Sequence, residues 1–283
     1  MIIDCHQHVN WNGYDASRLD GLLGKFGVDA AWLLPWETID GGLEPSYSHL
    51  STEQAFAAAE RFPRRFVPFC YVDPRRENAE KLLRAHARKG ARGYGEHKIR
   101  LCFDNPDSVR MYRTAGDLGL PVLFHIDVPL PHSNMWYNYN IDSVERVLRS
   151  CPGTVFIGHG PGWWREISAD ADRAPEAYPA GPVKSGGKLP HLLESYDNIY
   201  ADLSAGSGLN AIFRDRAFGR RFLIDFAPKL LYGTDTQNDK LLRYLRRLRL
   251  PEAVQTRILC DNARKLVPLG PTAGSGRQKR KTS

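Results

Sequence analysis

The 283-residue sequence has no Cys-x-x-Cys pair; its five cysteines, Cys5, Cys70, Cys102, Cys151 and Cys260, are scattered and odd in number. That spacing argues against a thiolate zinc site and a disulfide frame, and it points to free thiols in a reducing compartment. No apolar run approaches the ~18 residues of a membrane span, so no membrane partner is expected. The first apolar stretch is short and ends in a polar cluster, unlike an export signal, and a cytoplasmic location is the expectation. A Gly-rich phosphate turn after the first apolar run, which an open nucleotide-binding sheet would carry, is also missing.

What the chain has instead is alternation. Its 42% hydrophobic and 25% charged residues are ordinary for a globular protein. Eight short apolar or β-branched runs recur: "MIIDCH", "DAAWLLP", "RFVPFCYV", "GARGYGEHK", "PVLFHID", "TVFIGHG", "NIYADLS" and "LLYGTD". Between them lie stretches with helical spacing, among them Ser51 to Arg61, Arg75 to Lys89, Ser108 to Leu118, Ile141 to Arg149 and Asn238 to Leu248. Eight β-α units predict an α/β chain closed as a (β/α)8 TIM barrel, a fold of roughly 250 residues.

Connection lengths point the same way. Turns entering the strands are terse ("KFGVD", "GDLGLP", "SCPGT"), whereas the segments leaving strands two, five and six are long and aromatic. Such asymmetry belongs to a barrel whose site is built by the long loops at the C-terminal face of its strands. One domain is predicted over residues 1–268, followed by a basic, disordered tail over 269–283, Gly/Ser-rich and carrying four Lys or Arg.

The chemistry gathers at strand ends. His6 and His8 are two apart, so on a strand they project together, and two neutral imidazoles can bind one divalent metal. His125 ends "PVLFH", His159 ends "TVFIGH" and Asp235 ends "LLYGTD"; in a barrel these termini converge on one mouth. Asp4 is expected one pleat deeper on the same face, supporting a ligand histidine or bonding the next strand.

An H-x-H on the first strand, single histidines after the fifth and sixth and an aspartate after the eighth resemble the amidohydrolase superfamily. The opening "DCHQH" with "GLPVLFH" and "GTD" resembles its amidohydrolase-related branch, which includes decarboxylases of the aminocarboxymuconate-semialdehyde type. The resemblance runs from Met1 to about Val267. It implies that His6, His8, His125 and Asp235 hold a divalent metal ion, most readily Zn2+, and that His159 faces substrate or the metal-bound water. The chemistry is intelligible in its own terms. A divalent ion brings the pKa of bound water toward ~7, Asp235 can take the proton and deliver it to a leaving group, and His159 can steady an oxyanion.

Strand four reads "GYGEHKIR", with Glu96 and Lys98 on one face and His97 on the other. One metal ion is expected, with a second as the alternative if Glu96 bridges, as a glutamate near this point does in TatD-like nucleases. Lys98 or Arg100 can hold an acidic substrate group or form a salt bridge, and Trp36, Trp136 and Trp163 are candidates for an aromatic pocket wall. The stretch from Gly160 to Lys188 can form a lid or an arm between subunits of a homo-oligomer.

The expected activity is that of a metal-dependent hydrolase acting on a small organic amide, ester or lactone, with Asp235 as proton shuttle. The alternative is a non-oxidative decarboxylase using the same ligands. A nuclease is disfavoured despite the net charge of +7, because much of the Lys and Arg lies in "KLLRYLRRLRLP" and the tail rather than in the strand-end loops.

Overall fold

The computed structural model describes residues 1–39, 50–128, 137–138, 141–173 and 176–269. The eight predicted runs each supply a strand: β1 (Ile3–Gln7), β2 (Ala30–Leu33), β3 (Phe66–Pro68), β4 (Tyr94–His97), β5 (Val122–His125), β6 (Phe156–His159), β7 (Ile199–Asp202) and β8 (Leu230–Leu231). The principal helices between them are α1 (Ala16–Phe26), α2 (Thr52–Arg61), α3 (Ala79–Lys89), α4 (Pro106–Asp117), α5 (Asp142–Ser150), α6 (Pro161–Trp164), α7 (Lys188–Ser195), α8 (Ala205–Phe213), α9 (Arg216–Asp225) and α10 (Lys240–Arg247). The short α11 (Glu252–Thr256) and α12 (Asn262–Leu266) close the described chain.

Local chemistry sets the helix boundaries. The α2 start is a capping box, Ser51 accepting from Gln54 N while the Gln54 side chain reaches back to the Ser51 N–H. Asn105 caps α4, and Pro106 occupies its first turn, where a missing N–H costs nothing. The helix predicted from Arg75 starts only at Ala79, because Asp73 takes the Arg75 backbone N–H and guanidinium into a turn of its own.

All strand pairings are parallel, in the runs β1-β2-β3 and β4-β5-β6-β7-β8. Backbone hydrogen bonds join the two runs at both edges. At the β3–β4 seam Cys70 N donates to Gly93 O and Gly95 N to Cys70 O; at the β8–β1 seam Cys5 N donates to Tyr232 O and Asp235 N to His6 O, each at 2.9 Å. The fold is a TIM barrel. Its interior is filled by Ile3, Cys5, Trp32, Phe69, Leu123, Ile157 and Leu231, while the alternate strand residues pack outward against the helices.

One irregularity matters for the site. Between Asp4 and Gln7, β1 advances three residues while β2 advances two, from Ala31 to Leu33, which is a bulge. Asp4 therefore does not sit a simple pleat below the histidines. It turns into the β1–β8 seam, accepting from Thr234 N (3.0 Å) and Oγ1 (2.6 Å), Gln7 Nε2 (3.1 Å) and the His6 N–H (3.0 Å). Its carboxyl is pushed up to about 6 by burial, against the pull of those bonds. Among the described residues no helix is long and apolar enough to cross a membrane. The predicted tail lies outside the described residues except for Leu269.

Candidate metal centre

The strand ends meet at one mouth. His6 Nδ1 bonds Asp202 Oδ2 at 2.7 Å and His8 Nδ1 bonds Leu34 O at 2.7 Å, so each Nδ1 carries the proton and each Nε2 turns a lone pair inward. The two Nε2 atoms are 3.3 Å apart. Asp235 Oδ1 lies 3.5 Å from His6 Nε2 and 3.2 Å from His8 Nε2; Glu96 Oε2 lies 3.8 and 3.5 Å from the same atoms. A tetrahedral shell at 2.0–2.1 Å has donor–donor edges of about 3.3–3.4 Å. Two imidazole lone pairs and two carboxylate oxygens facing one another in a nearly dry site repel unless a cation lies among them, so the residues fit a divalent ion.

The other oxygen of Glu96, Oε1, is 2.8 Å from His125 Nδ1. Glu96, His125 and His159 form a second group whose possible donor atoms all lie within 4.8 Å of one another. His159 Nε2 faces Asp235 Oδ2 at 3.4 Å, and its Nδ1 meets Ser204 Oγ at 2.9 Å and Asp202 Oδ2 at 3.2 Å. His125 thus sits with Glu96 and His159 rather than in the tight group of His6, His8 and Asp235. Burial would raise the Asp235 and Glu96 carboxyls, but neighbouring imidazoles outweigh it and hold both well below the usual carboxylate range. Burial would lower His159; Asp202 and Asp235 instead bring it up to about 10.

Sequence reasoning missed three residues here. Asp202 ends β7 as His125 ends β5, and the same strand-end rule applied to "NIYAD" would have found it. Fully buried, it holds His6, His159, the Cys5 thiol (3.3 Å to Oδ1) and both the N–H (2.9 Å) and hydroxyl (2.7 Å) of Ser204. Ser204 itself links Asp202 to the two histidines. Asp127, two residues beyond His125, places Oδ1 3.1 Å from His125 Nε2.

The cleft above the histidines has a volume of about 290 Å³ and is lined by Trp11, Trp36, Lys98, Asp127, Tyr178 and the metal-centre side chains, among others. Lys98 is buried in its wall, with the ammonium 4.9 Å from the Trp36 ring centre and 5.0 Å from that of Tyr137. Arg100 is not among the described lining residues; its guanidinium carbon lies 5.7 Å from the centre of the same Tyr137 ring. Trp163 also departs from expectation. It is fully buried against Phe124 and under β6, where a Cβ on Gly158 would come within 2.4 Å of its ring, so it is core rather than pocket wall. Trp136 lies outside the described residues. His97 faces away from the mouth into a nest of Tyr71, Tyr94 and Tyr112, and burial pushes it down to about 3.

Residues 3–269 match the family described as Amidohydrolase. The chain belongs to that family. As an amidohydrolase it is a metal-dependent enzyme of the hydrolase or decarboxylase type. Among solved structures it is similar to the TIM-barrel protein Bb4693 from Bordetella bronchiseptica (15% identity, 88% of this chain and 81% of that one, TM-score 0.63). It is likewise similar to a putative 2-pyrone-4,6-dicarboxylic acid hydrolase from Pseudomonas putida (18%, 94% and 96%, 0.62) and to 5-carboxyvanillate decarboxylase from Sphingomonas paucimobilis (14%, 90% and 83%, 0.55). At these identities the likeness is one of fold. No curated protein matches the amidohydrolase by sequence.

Proposed function

We propose that this amidohydrolase is a cytoplasmic hydrolase of small organic esters, lactones or amides that works with two divalent cations. In this reading the first is held by His6, His8, Asp235 and Glu96, and the second by Glu96, His125 and His159. The observation that carries the hydrolytic reading is the placement of Asp235: an ionised carboxylate at the floor of the cleft, with one oxygen against His6 and His8 and the other against His159. Four imidazoles and two carboxylates suit zinc or manganese. When bound, such ions bring the pKa of a water toward ~7 and polarise a carbonyl.

The chain's own residues supply the rest. Asp235 accepts a proton on a carboxylate oxygen and returns it to the leaving group. His159, its Nδ1 held by Asp202 and Ser204, acts as a holder rather than a proton carrier. Trp11 and Trp36 flank a flat substrate and keep bulk water out. Lys98 anchors an anionic group. Lys98 is the one Lys or Arg among the described lining residues, which is not the basic stripe a polyanion such as nucleic acid needs. The five free thiols support a reducing, cytoplasmic setting.

Lys98 also favours a second reading, decarboxylation, since a buried ammonium in the wall suits a substrate carboxylate. Metal content measured with turnover on a panel of lactones, esters, amides and aromatic carboxylates separates the two. Hydrolysis that follows metal loading is the expected result, and release of carbon dioxide without any hydrolysis overturns it.

A further inference from the structure

We propose that the N-terminus of α8 is a binding subsite for a carboxylate of the substrate, with Ser207 as its side-chain donor. The inference rests on this cleft being the substrate site, and on neither the reaction performed there nor the number of ions. A helix start leaves its first N–H groups without intrahelical acceptors, and the residue before it ordinarily lends them a side-chain oxygen. At α8 that oxygen is diverted. Ser204 holds the capping position but makes no cap bond, because its hydroxyl donates to Asp202 Oδ2 at 2.7 Å and lies 2.9 Å from His159 Nδ1. The Ala205 N–H goes to Thr234 O at 3.0 Å, and Gly208 N, reaching Ser204 O at 3.4 Å, makes the first bond of the helix. The N–H groups of Gly206 and Ser207 between them have no acceptor among the described residues.

Ser207 supplies an independent sign of a ligand. It is only 3% exposed, its hydroxyl has no hydrogen-bond partner among the described residues, and it lines the cleft together with Ala205. A buried hydroxyl left unpaired is costly unless something enters to meet it. Gly206 leaves the same turn bare: a Cβ there would stand 3.2 Å from the Tyr178 ring, so the exposed phenol forms the outer wall of the subsite. The Asp235 carboxylate does not fill the place, since its oxygens face His6, His8 and His159. The free N–H groups, the hydroxyl and the positive end of the helix dipole belong to one turn and together suit a carboxylate. Lys98 enters the cleft from the end of β4, so α8 offers an anchor separate from it.

The test is calorimetric titration of the zinc-loaded full-length protein with benzoate and pentanoate and with their uncharged amides. It compares wild type, Ser207→Ala and Ser207→Asp, each also in a Lys98→Met background. Ser207→Ala should weaken the carboxylates about 10-fold and leave the amides within about twofold. Ser207→Asp, whose own carboxylate takes the ligand's place, should weaken them about 100-fold. The same variant should unfold about 1–3 °C above wild type, because an acidic residue in a first helical turn stabilises the helix. Both losses of affinity should persist with Lys98→Met. Wild-type carboxylate affinity in Ser207→Asp leaves the anchoring to Lys98 or the metal and overturns the proposal. Equal weakening of carboxylates and amides also overturns it, since that reports a deformed cleft, and so does an effect that vanishes with Lys98→Met. Failure of wild type to take up any of the four probes overturns the substrate-site reading and the proposal with it.

Discussion

The two sides of the metal centre are held in different ways. On the β7–β8–β1 side, Asp202 is wholly buried and saturated, bonded to His6, His159, Cys5 and twice to Ser204. On the β4–β5 side, Asp127 meets His125 off axis and one of its oxygens has no hydrogen-bond partner among the described residues. A saturated carboxylate holds its histidines in one tautomer whether or not a ligand is present; an unsaturated one leaves its histidine to be ordered by what binds. The first side is held by its own hydrogen bonds, and the second is held less completely.

Asp235 joins the two sides, so its loss should be felt most. Asp235→Asn is expected to lower kcat by ~10³-fold with the fold intact; a variant retaining full turnover at saturating metal would remove Asp235 from the chemistry. Next comes Asp202→Ala, which frees His6 and His159 together. Metal binding should weaken 10–100-fold, and wild-type affinity of Asp202→Ala in metal titrations would remove Asp202 from the support of the site. Lys98→Met should raise KM for an anionic substrate about 10-fold, the scale of one charged hydrogen bond, with kcat and metal content unchanged.

The smallest effect lies behind the mouth. Glu166, buried beside the second side, is pushed up to about 7 by its burial, which outweighs Lys188 and Arg165. Its ordinary value is 4.5, so between those two pH values the folded protein keeps a proton that the unfolded chain releases, and stability falls as pH rises through the window. Glu166→Gln should flatten that slope in denaturation curves and be more stable than wild type at pH 8 by on the order of 1–2 kcal/mol.

Much of the architecture was legible because the eight strand runs are apolar at both faces and the helices between them carry a clear period. The helical end points moved by a turn only where side chains intervened, as Asp73 does before α3. The strand-end rule also led to five of the side chains that meet at the mouth, His6, His8, His125, His159 and Asp235, and the face pattern of "GYGEHKIR" led to Glu96. It could not show how they divide. The β1 bulge that turns Asp4 aside depends on pairing with β2 and β8, and no periodicity in "MIIDCHQH" announces it. Nor does "GWW" say that Trp163 tucks under a glycine of β6 instead of reaching solvent. Side-chain direction past a strand end is set by tertiary contacts, and these are what the linear pattern does not carry.

The seam between β8 and β1 has a consequence for how the enzyme comes into being. Asp235 N donates to His6 O, and one step deeper Asp4 takes two bonds from Thr234 across a separation of 230 residues. The contact that shuts the barrel is also the contact that brings His6 to Asp235. Such a long-range pairing must wait for the intervening chain to fold, at the cost in rate that non-local contacts carry. During synthesis the chain can therefore own a nearly complete barrel while His6 and Asp235 are still apart; if the two hold a metal as proposed, its uptake would report the final closing step of folding.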